Sequence, residues 1–302
     1  MSFVKGPVTV TVPATSANLG PGFDSLGLAL ELRDELSASV TRAGLHVEVS
    51  GEAADLVPRD EDHLVVRAMR GAFAELGVSP PGLELVCSNA IPHARGLGSS
   101  AAAIVAGVHL ARALVEGGRS RLSDHAAFQL AASIEGHPDN VAAASFGGLT
   151  IAWTEDDLSF AAPSQVAPGV RTVAFVPPTA LSTEVARGLL PASVTHADAA
   201  ASAGRAALLV AALGTGWTAK LRPATRDWLH QEYRRPAMPG SLALVDALRA
   251  DGHAAVVSGA GPTVLVLTTG STDLTSYTPD GWACRPLAIA ADGVLLRRPA
   301  GS

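Results

Sequence analysis

Pro92-His-Ala-Arg-Gly-Leu-Gly-Ser-Ser-Ala-Ala102 is the stretch that decides how this chain is to be read. An apolar run, Leu83 to Val86, leads into it. A Pro-free Ala/Val/Leu segment, Ala101 to Val115, leaves it. The pattern predicts a strand, a tight loop and the start of a helix. Gly96 and Gly98 let the backbone approach a ligand without a Cβ in the way. A helix start offers unpaired N–H groups and the positive end of the dipole, which suits phosphate. Ser99 and Ser100 add hydroxyls for phosphate oxygens or a metal. No Lys follows the glycines, so the P-loop pattern is absent and any phosphate is held by backbone and hydroxyls. The plainer alternative is a Gly-Ser helix cap that binds nothing.

Working outward, the chain has 302 residues, 48% hydrophobic and 17% charged, enough for two domains around packed cores. Aromatics are only 4%, so Ala, Val and Leu must build the interior. A net charge of −6 disfavours a nucleic-acid footprint or a polybasic membrane patch. No uninterrupted run of 18 or more apolar residues is present, so no transmembrane helix is expected. The N-terminus lacks the plan of a signal peptide. Cys87 and Cys284 are expected to be thiols rather than a disulfide. A cytoplasmic enzyme fits these features.

Val8 to Val12 alternates as a β-branched strand that Pro13 ends, and Ala14 to Phe23 is expected to be a loop. Strands are predicted at 45–49, 83–86, 147–153 and 173–176. Helices are predicted at 63–76, at 124–135 capped by Ser123, and at about 183–190, 198–213 and 241–250. His253 to Leu267 reads as strand, glycine turn, strand. The polar, Pro-containing stretch from Glu155 to Gly169 is taken as the boundary between a domain of residues 1–160 and one of 161–302. Strands and helices mix without strict alternation, so the expected class is α+β.

Three further segments are as unusual as the glycine loop. Pro13-Ala-Thr-Ser-Ala-Asn-Leu-Gly-Pro-Gly-Phe-Asp24 resembles the first motif of the GHMP kinases, in the form typical of their homoserine kinase branch. Pro92 to Ala102 is similar to the second, phosphate-binding motif, and Ser258-Gly-Ala-Gly-Pro-Thr263 to the third. Glu135-Gly-His-Pro-Asp-Asn140 followed by Gly147-Gly148 resembles that branch's metal and active-site segment. Thr183 to Arg187 and Leu229-His-Gln-Glu-Tyr-Arg234 match the same branch. The resemblance covers residues 8 to 267.

It implies an N-terminal domain like the second domain of ribosomal protein S5, a ferredoxin-like C-terminal domain and a site between them. It implies ATP and Mg²⁺ as cofactors and L-homoserine as the acceptor, with no nucleic-acid or membrane partner; a homodimer is left open. ATP would be held by Pro92, His93, Ala94, Arg95, Gly96, Leu97, Gly98, Ser99, Ser100, Ala101 and Ala102, with Arg95 to Ser100 wrapping the triphosphate. Mg²⁺ would take oxygens of Ser100 and Glu135, although Ser99 is an alternative to Ser100. The substrate carboxylate would meet the forked guanidinium groups of Arg187 and Arg234. Its ammonium would meet Asp24. Asn18, His137 and Asn140 would complete the pocket. For each arginine the alternative is a surface side chain, and for Asp24 a turn cap.

Many GHMP kinases place an Asp base near the acceptor hydroxyl, but the matching position here is Asn140. An amide is no base at neutral pH, so the proton is expected to pass to the γ-phosphate, with Asp139 as the alternative base. Ser202, Gly204, Arg226 and Glu232 depart from the branch's pattern and are expected outside the pocket. The tail after Gly270 is given no role. The competing functions are another GHMP kinase acting on a different alcohol and a non-catalytic binding module. A dinucleotide-binding fold lacks its third glycine and its ribose acid.

Overall fold

In a computed structural model, residues 2–297 are described. The chain runs β1 Val8–Asn18, β2 Gly22–Thr41, β3 Gly44–Gly51, α1 Leu64–Glu75, β4 Gly82–Asn89, α2 Ser99–Leu114, α3 Gly118–Arg121, α4 Asp124–Glu135 and α5 Pro138–Phe146. It continues through β5 Leu149–Glu155, β6 Leu158–Ser164, β7 Val170–Val176, α6 Thr183–Gly188, α7 His196–Thr215, α8 Thr218–Ala224, α9 Pro239–Ala250, β8 Ala254–Val257, β9 Val264–Thr269, β10 Ala283–Leu287 and β11 Leu295–Arg297. The architecture is the two-domain α+β fold that the sequence predicts.

The first sheet has the order β11-β1-β2-β4-β3, with β5 pairing β2 and β6 pairing β5. Its pairs are antiparallel except β3 with β4. Helices α2, α4 and α5 lie against it and α1 packs on α2, whose small residues allow close approach. Val10, Val12, Leu28 and Leu85 from the sheet meet Val66, Phe73, Val105 and Phe128 from the helices in one dry core. The second sheet is antiparallel, β10-β7-β9-β8. Phe175, Val257 and Val266 pack there against Leu242 and Leu248 of α9.

The expected loop at Ala14–Phe23 is instead largely strand: β1 runs on to Asn18, paired with β2 across register shifts at Pro13/Ala14 and Ala17/Asn18. Pro13 sits at a bulge rather than ending the strand, where its missing N–H costs no regular ladder bond. The polar stretch at 155–169 holds β6, joined to β5 through Asp156 and Asp157, both at positive φ. The first sheet therefore extends to Ser164. The tail, left without a role above, adds β10 to the second sheet and returns β11 to β1, with Thr9 opposite Arg297. Cys87 is buried and Cys284 half-buried, and both are free thiols.

One helix among the described residues, α7, is long and apolar enough to cross a membrane by length and composition, with mean hydropathy 1.2. It escapes a search for uninterrupted apolar runs because it carries Asp198 and Arg205. Leu209, Ala212 and Leu213 enter the first core, so one such helix is weak evidence for a span.

Candidate active site

The glycine loop joins β4 to α2. Gly96 and Gly98 sit at φ of +78° and +70°, where side chains are disfavoured. A Cβ on Gly96 would lie 2.3 Å from the Ser258 carbonyl oxygen, and one on Gly98 1.8 Å from Thr15 Oγ1. The loop is clamped from both sides. Thr15 N–H donates to Leu97 O at 3.0 Å and Thr263 N–H to Arg95 O at 3.1 Å. Ser258 Oγ donates to Gly96 O at 2.6 Å. Gly98 is the N-cap of α2 and supplies no side chain to cap it, so the first N–H groups of the helix are left for an anion.

Arg95 behaves differently from the expectation that it wraps a triphosphate. Its guanidinium donates to the carbonyls of His93, Pro177 and Pro178, so the side chain ties the loop to the end of β7. Pro92, Leu97, Ala101 and Ala102 are buried framework.

A cavity of about 220 Å³ opens between the two domains. From the glycine loop it is lined by Ala94, Gly96, Gly98, Ser99 and Ser100; from the first motif, by Asn18 and Asp24. Glu135, His137, Asp139 and Asn140 also line it, and Arg187 and Arg234 reach it from the second domain. Ser202, Gly204, Arg226 and Glu232 lie outside it.

Two arginines dominate one end. Arg187 forms a forked pair with Asp24, 2.6 Å and 3.1 Å, and this bond raises the Arg187 pKa. Arg234 is 1% exposed and has no carboxylate within bonding reach; its donors go to Ala186 O, Gly259 O and His230 Nδ1. Burial, then the neighbouring Arg187 charge, lowers its pKa to about 10, still well above neutrality. Both guanidinium groups lie over the Phe23 ring, at 5.6 and 5.7 Å from its centre. A buried cation without a counter-ion is costly unless an anion arrives to meet it.

At the other end, Ser100 Oγ donates to Glu135 Oε2 at 2.6 Å. Burial raises the Glu135 pKa against that bond. Asp139 is 2% exposed and its Oδ1 accepts from Asn140 N–H at 2.7 Å; burial pushes its pKa up to about 6. His137 Nδ1 lies 3.8 Å from Asp139 Oδ1, beyond hydrogen-bond reach. Asn18 accepts from Asp24 N–H through Oδ1 and donates to Gly259 O, which fixes the turn that presents Asp24.

An adjoining cavity of about 310 Å³ shares Ala94, Ser99 and Ser100 with the first. His93 belongs to this side, with Val57, His63 and Val65. Its apolar walls suit a flat base rather than a charged group.

Three contributors escaped the sequence reasoning. Thr15 bonds Asn140; His230, buried, stacks on Phe23 and supports Arg234; and Ser182 lines the cavity. Thr15 and His230 stand inside quoted motifs, but only the fold shows whom they touch. No cluster of three or more His, Cys, Asp or Glu able to hold a metal exists among the described residues. A hard ion that keeps water and phosphate oxygens needs fewer protein ligands, and Ser100 with Glu135 offers such a set.

The chain matches the family model of the GHMP kinases N terminal domain over residues 63–148 and that of the GHMP kinases C terminal over 199–274. It is 54% identical over 294 residues to a homoserine kinase of Streptomyces avermitilis, covering 97% of this chain and 96% of that one. A homoserine kinase of Streptomyces coelicolor is 53% identical over 297 residues, 98% and 96% of the two chains. Among solved structures, a putative homoserine kinase from Listeria monocytogenes superposes with a TM-score of 0.77 at 31% identity, over 97% of this chain and all of that one. One from Cytophaga hutchinsonii reaches a TM-score of 0.83 at 24% identity, over 97% and 98%, a likeness of fold.

Proposed function

Because the chain belongs to the homoserine kinases of the GHMP kinase superfamily, ATP-dependent kinases of small molecules, we propose that it phosphorylates the side-chain hydroxyl of L-homoserine to O-phospho-L-homoserine, a step toward threonine. The observation that carries the substrate class is Arg234, a buried guanidinium facing the cavity with no carboxylate of its own. Beside it, the Arg187–Asp24 pair offers one cation and one anion. That is the charge pattern complementary to an α-amino acid: its carboxylate goes to Arg187 and Arg234, and its ammonium to Asp24.

ATP lies with its base in the His63–Val65 cavity and its phosphates along the glycine loop at the start of α2. Ser100 and Glu135 would supply protein oxygens to Mg²⁺, which would neutralise phosphate charge there. The homoserine hydroxyl oxygen forms the new bond to the γ-phosphorus, the bond to the β–γ bridging oxygen breaks, and ADP leaves. The hydroxyl proton passes to an oxygen of the transferred phosphoryl group, with Asn140 orienting the hydroxyl. Alignment and charge neutralisation supply the rate.

The test is ADP release with L-homoserine, L-serine, L-threonine and mevalonate as acceptors. Turnover with homoserine well above the rate without acceptor is expected. Turnover with mevalonate and none with homoserine overturns the assignment.

A further inference from the structure

Thr15 lies on β1 with no exposed surface, directly against the glycine loop. Its Oγ1 donates to Asn140 Oδ1 at 2.7 Å. Its backbone N–H holds Leu97 O, and its hydroxyl abuts Gly98 so closely that a Cβ there would overlap it. One residue thus touches both the phosphate loop and the amide at the acceptor end of the cavity. We propose that Thr15 is a positioning residue that fixes which end of the Asn140 amide faces the acceptor hydroxyl; the inference rests on the orienting role proposed above for Asn140.

An Asn amide has one accepting end and one donating end. With Oδ1 engaged by Thr15, Nδ2 is the end of the amide left for the cavity that Asn140 lines. The flipped amide would make Nδ2 the donor to Oγ1. The hydroxyl hydrogen of Thr15, a residue with no exposed surface, would then have no other acceptor among the described contacts. A buried donor left without an acceptor is unfavourable, so the hydroxyl selects the orientation. The consequence is chemical. An N–H donor meets the homoserine hydroxyl oxygen, so the hydroxyl hydrogen points away from Asn140 and toward the phosphate oxygens. The same contact indexes the acceptor amide to Gly98, so the donor loop and acceptor share one reference point.

The experiment compares Thr15→Val, which keeps the shape and removes the hydroxyl, with Thr15→Ser, which restores it. Each is made alone and in the Asn140→Ala background. Thr15→Val is expected to lower kcat roughly tenfold, the worth of one misaligned hydrogen bond, with KM for homoserine and ATP within about twofold. Thr15→Ser should recover most of the rate, and in the Asn140→Ala background Thr15→Val should cost nothing further. An equal loss in both backgrounds assigns Thr15 a merely structural role and overturns the proposal. A second readout does not depend on turnover. In protein labelled with ¹⁵N at Asn, the side-chain NH₂ signals missing from Asn140→Ala should shift in Thr15→Val and return in Thr15→Ser. Unmoved signals overturn the orientation whatever the acceptor is. Failure of the unmodified protein to use homoserine refutes only the substrate assignment.

Discussion

Arg187 and Asp24, 163 residues apart in the sequence, meet in a forked ion pair between the two domains. Each partner is about one-third exposed, so solvent screens the pair and it adds little to stability. Its value lies in being exchangeable. An amino-acid zwitterion can take both partners at once, with Arg234 already waiting buried beside them. Arg187→Ala and Arg234→Ala are therefore expected to raise KM for homoserine about ten- to a hundredfold, the effect of losing one charge-assisted hydrogen bond, and to leave KM for ATP unchanged. Steady-state kinetics with each substrate varied in turn checks this. A change that falls on ATP instead assigns the arginines to the triphosphate.

Glu135 is held by Ser100 and raised by burial, so its charge is stabilised best when a cation joins the pair. Glu135→Gln keeps the shape and the hydrogen bond but removes the charge. A loss of kcat of about a hundredfold or more is expected, with a higher Mg²⁺ concentration needed for half-maximal rate and an unchanged melting temperature. Wild-type activity at limiting Mg²⁺ removes Glu135 from the metal site.

Much of this was legible in the sequence because the chemistry is local. Ser123 before an apolar-periodic run gave α4 to the residue, and the glycine spacing gave the turn into α2. Thirteen of the expected side-chain positions line one cavity. What was not legible depends on partners far along the chain. Small residues from Ala14 to Asn18 look like a loop, yet they form a strand because β2 lies beside them. The tail has no motif, yet it adds an edge strand to both sheets. Arg95 sits in the loop as a phosphate ligand would, yet the carbonyls of Pro177 and Pro178 claim its guanidinium. Thr15 has no signature of its own; its role exists only once α5 brings Asn140 to it.

Asp34 gives a pH prediction outside the catalytic chemistry. It is buried, accepts from Ala90 and Ile91 N–H, and its pKa is pushed from 3.8 up to about 6, chiefly by burial. A raised carboxyl pKa means that the folded state keeps its proton where the unfolded chain has lost it. The contribution of Asp34 to stability is therefore greatest below about pH 4, falls as pH rises toward 6, and is level above that. Asn can accept the same two bonds without a charge. Relative to wild type, Asp34→Asn should gain stability as the pH rises from 4 to 6, measured by urea denaturation at each pH. A difference that stays constant across that range refutes the assignment.

Asp139 has a pKa near 6, so it is ionised at neutral pH and could accept a proton on that ground alone. Its geometry argues otherwise. The carboxylate is nearly closed off, and Oδ1 is occupied by the Asn140 N–H at the first turn of α5. Its neighbour Asn140 instead turns an amide toward the cavity, and an amide orients without taking a proton. Asn140→Ala should then lose rate through misalignment, while Asp139→Asn, which keeps an acceptor for the same N–H, loses much less. The acidic limb of the kcat profile should be the same in wild type and Asp139→Asn, because it reports the nucleotide and the substrate. Suppose instead that Asp139→Asn costs about a thousandfold or more and an acidic limb near pH 6 vanishes with it. Asp139 is then the general base, the hydroxyl proton leaves through the protein, and the transfer of that proton to the phosphoryl oxygen is wrong.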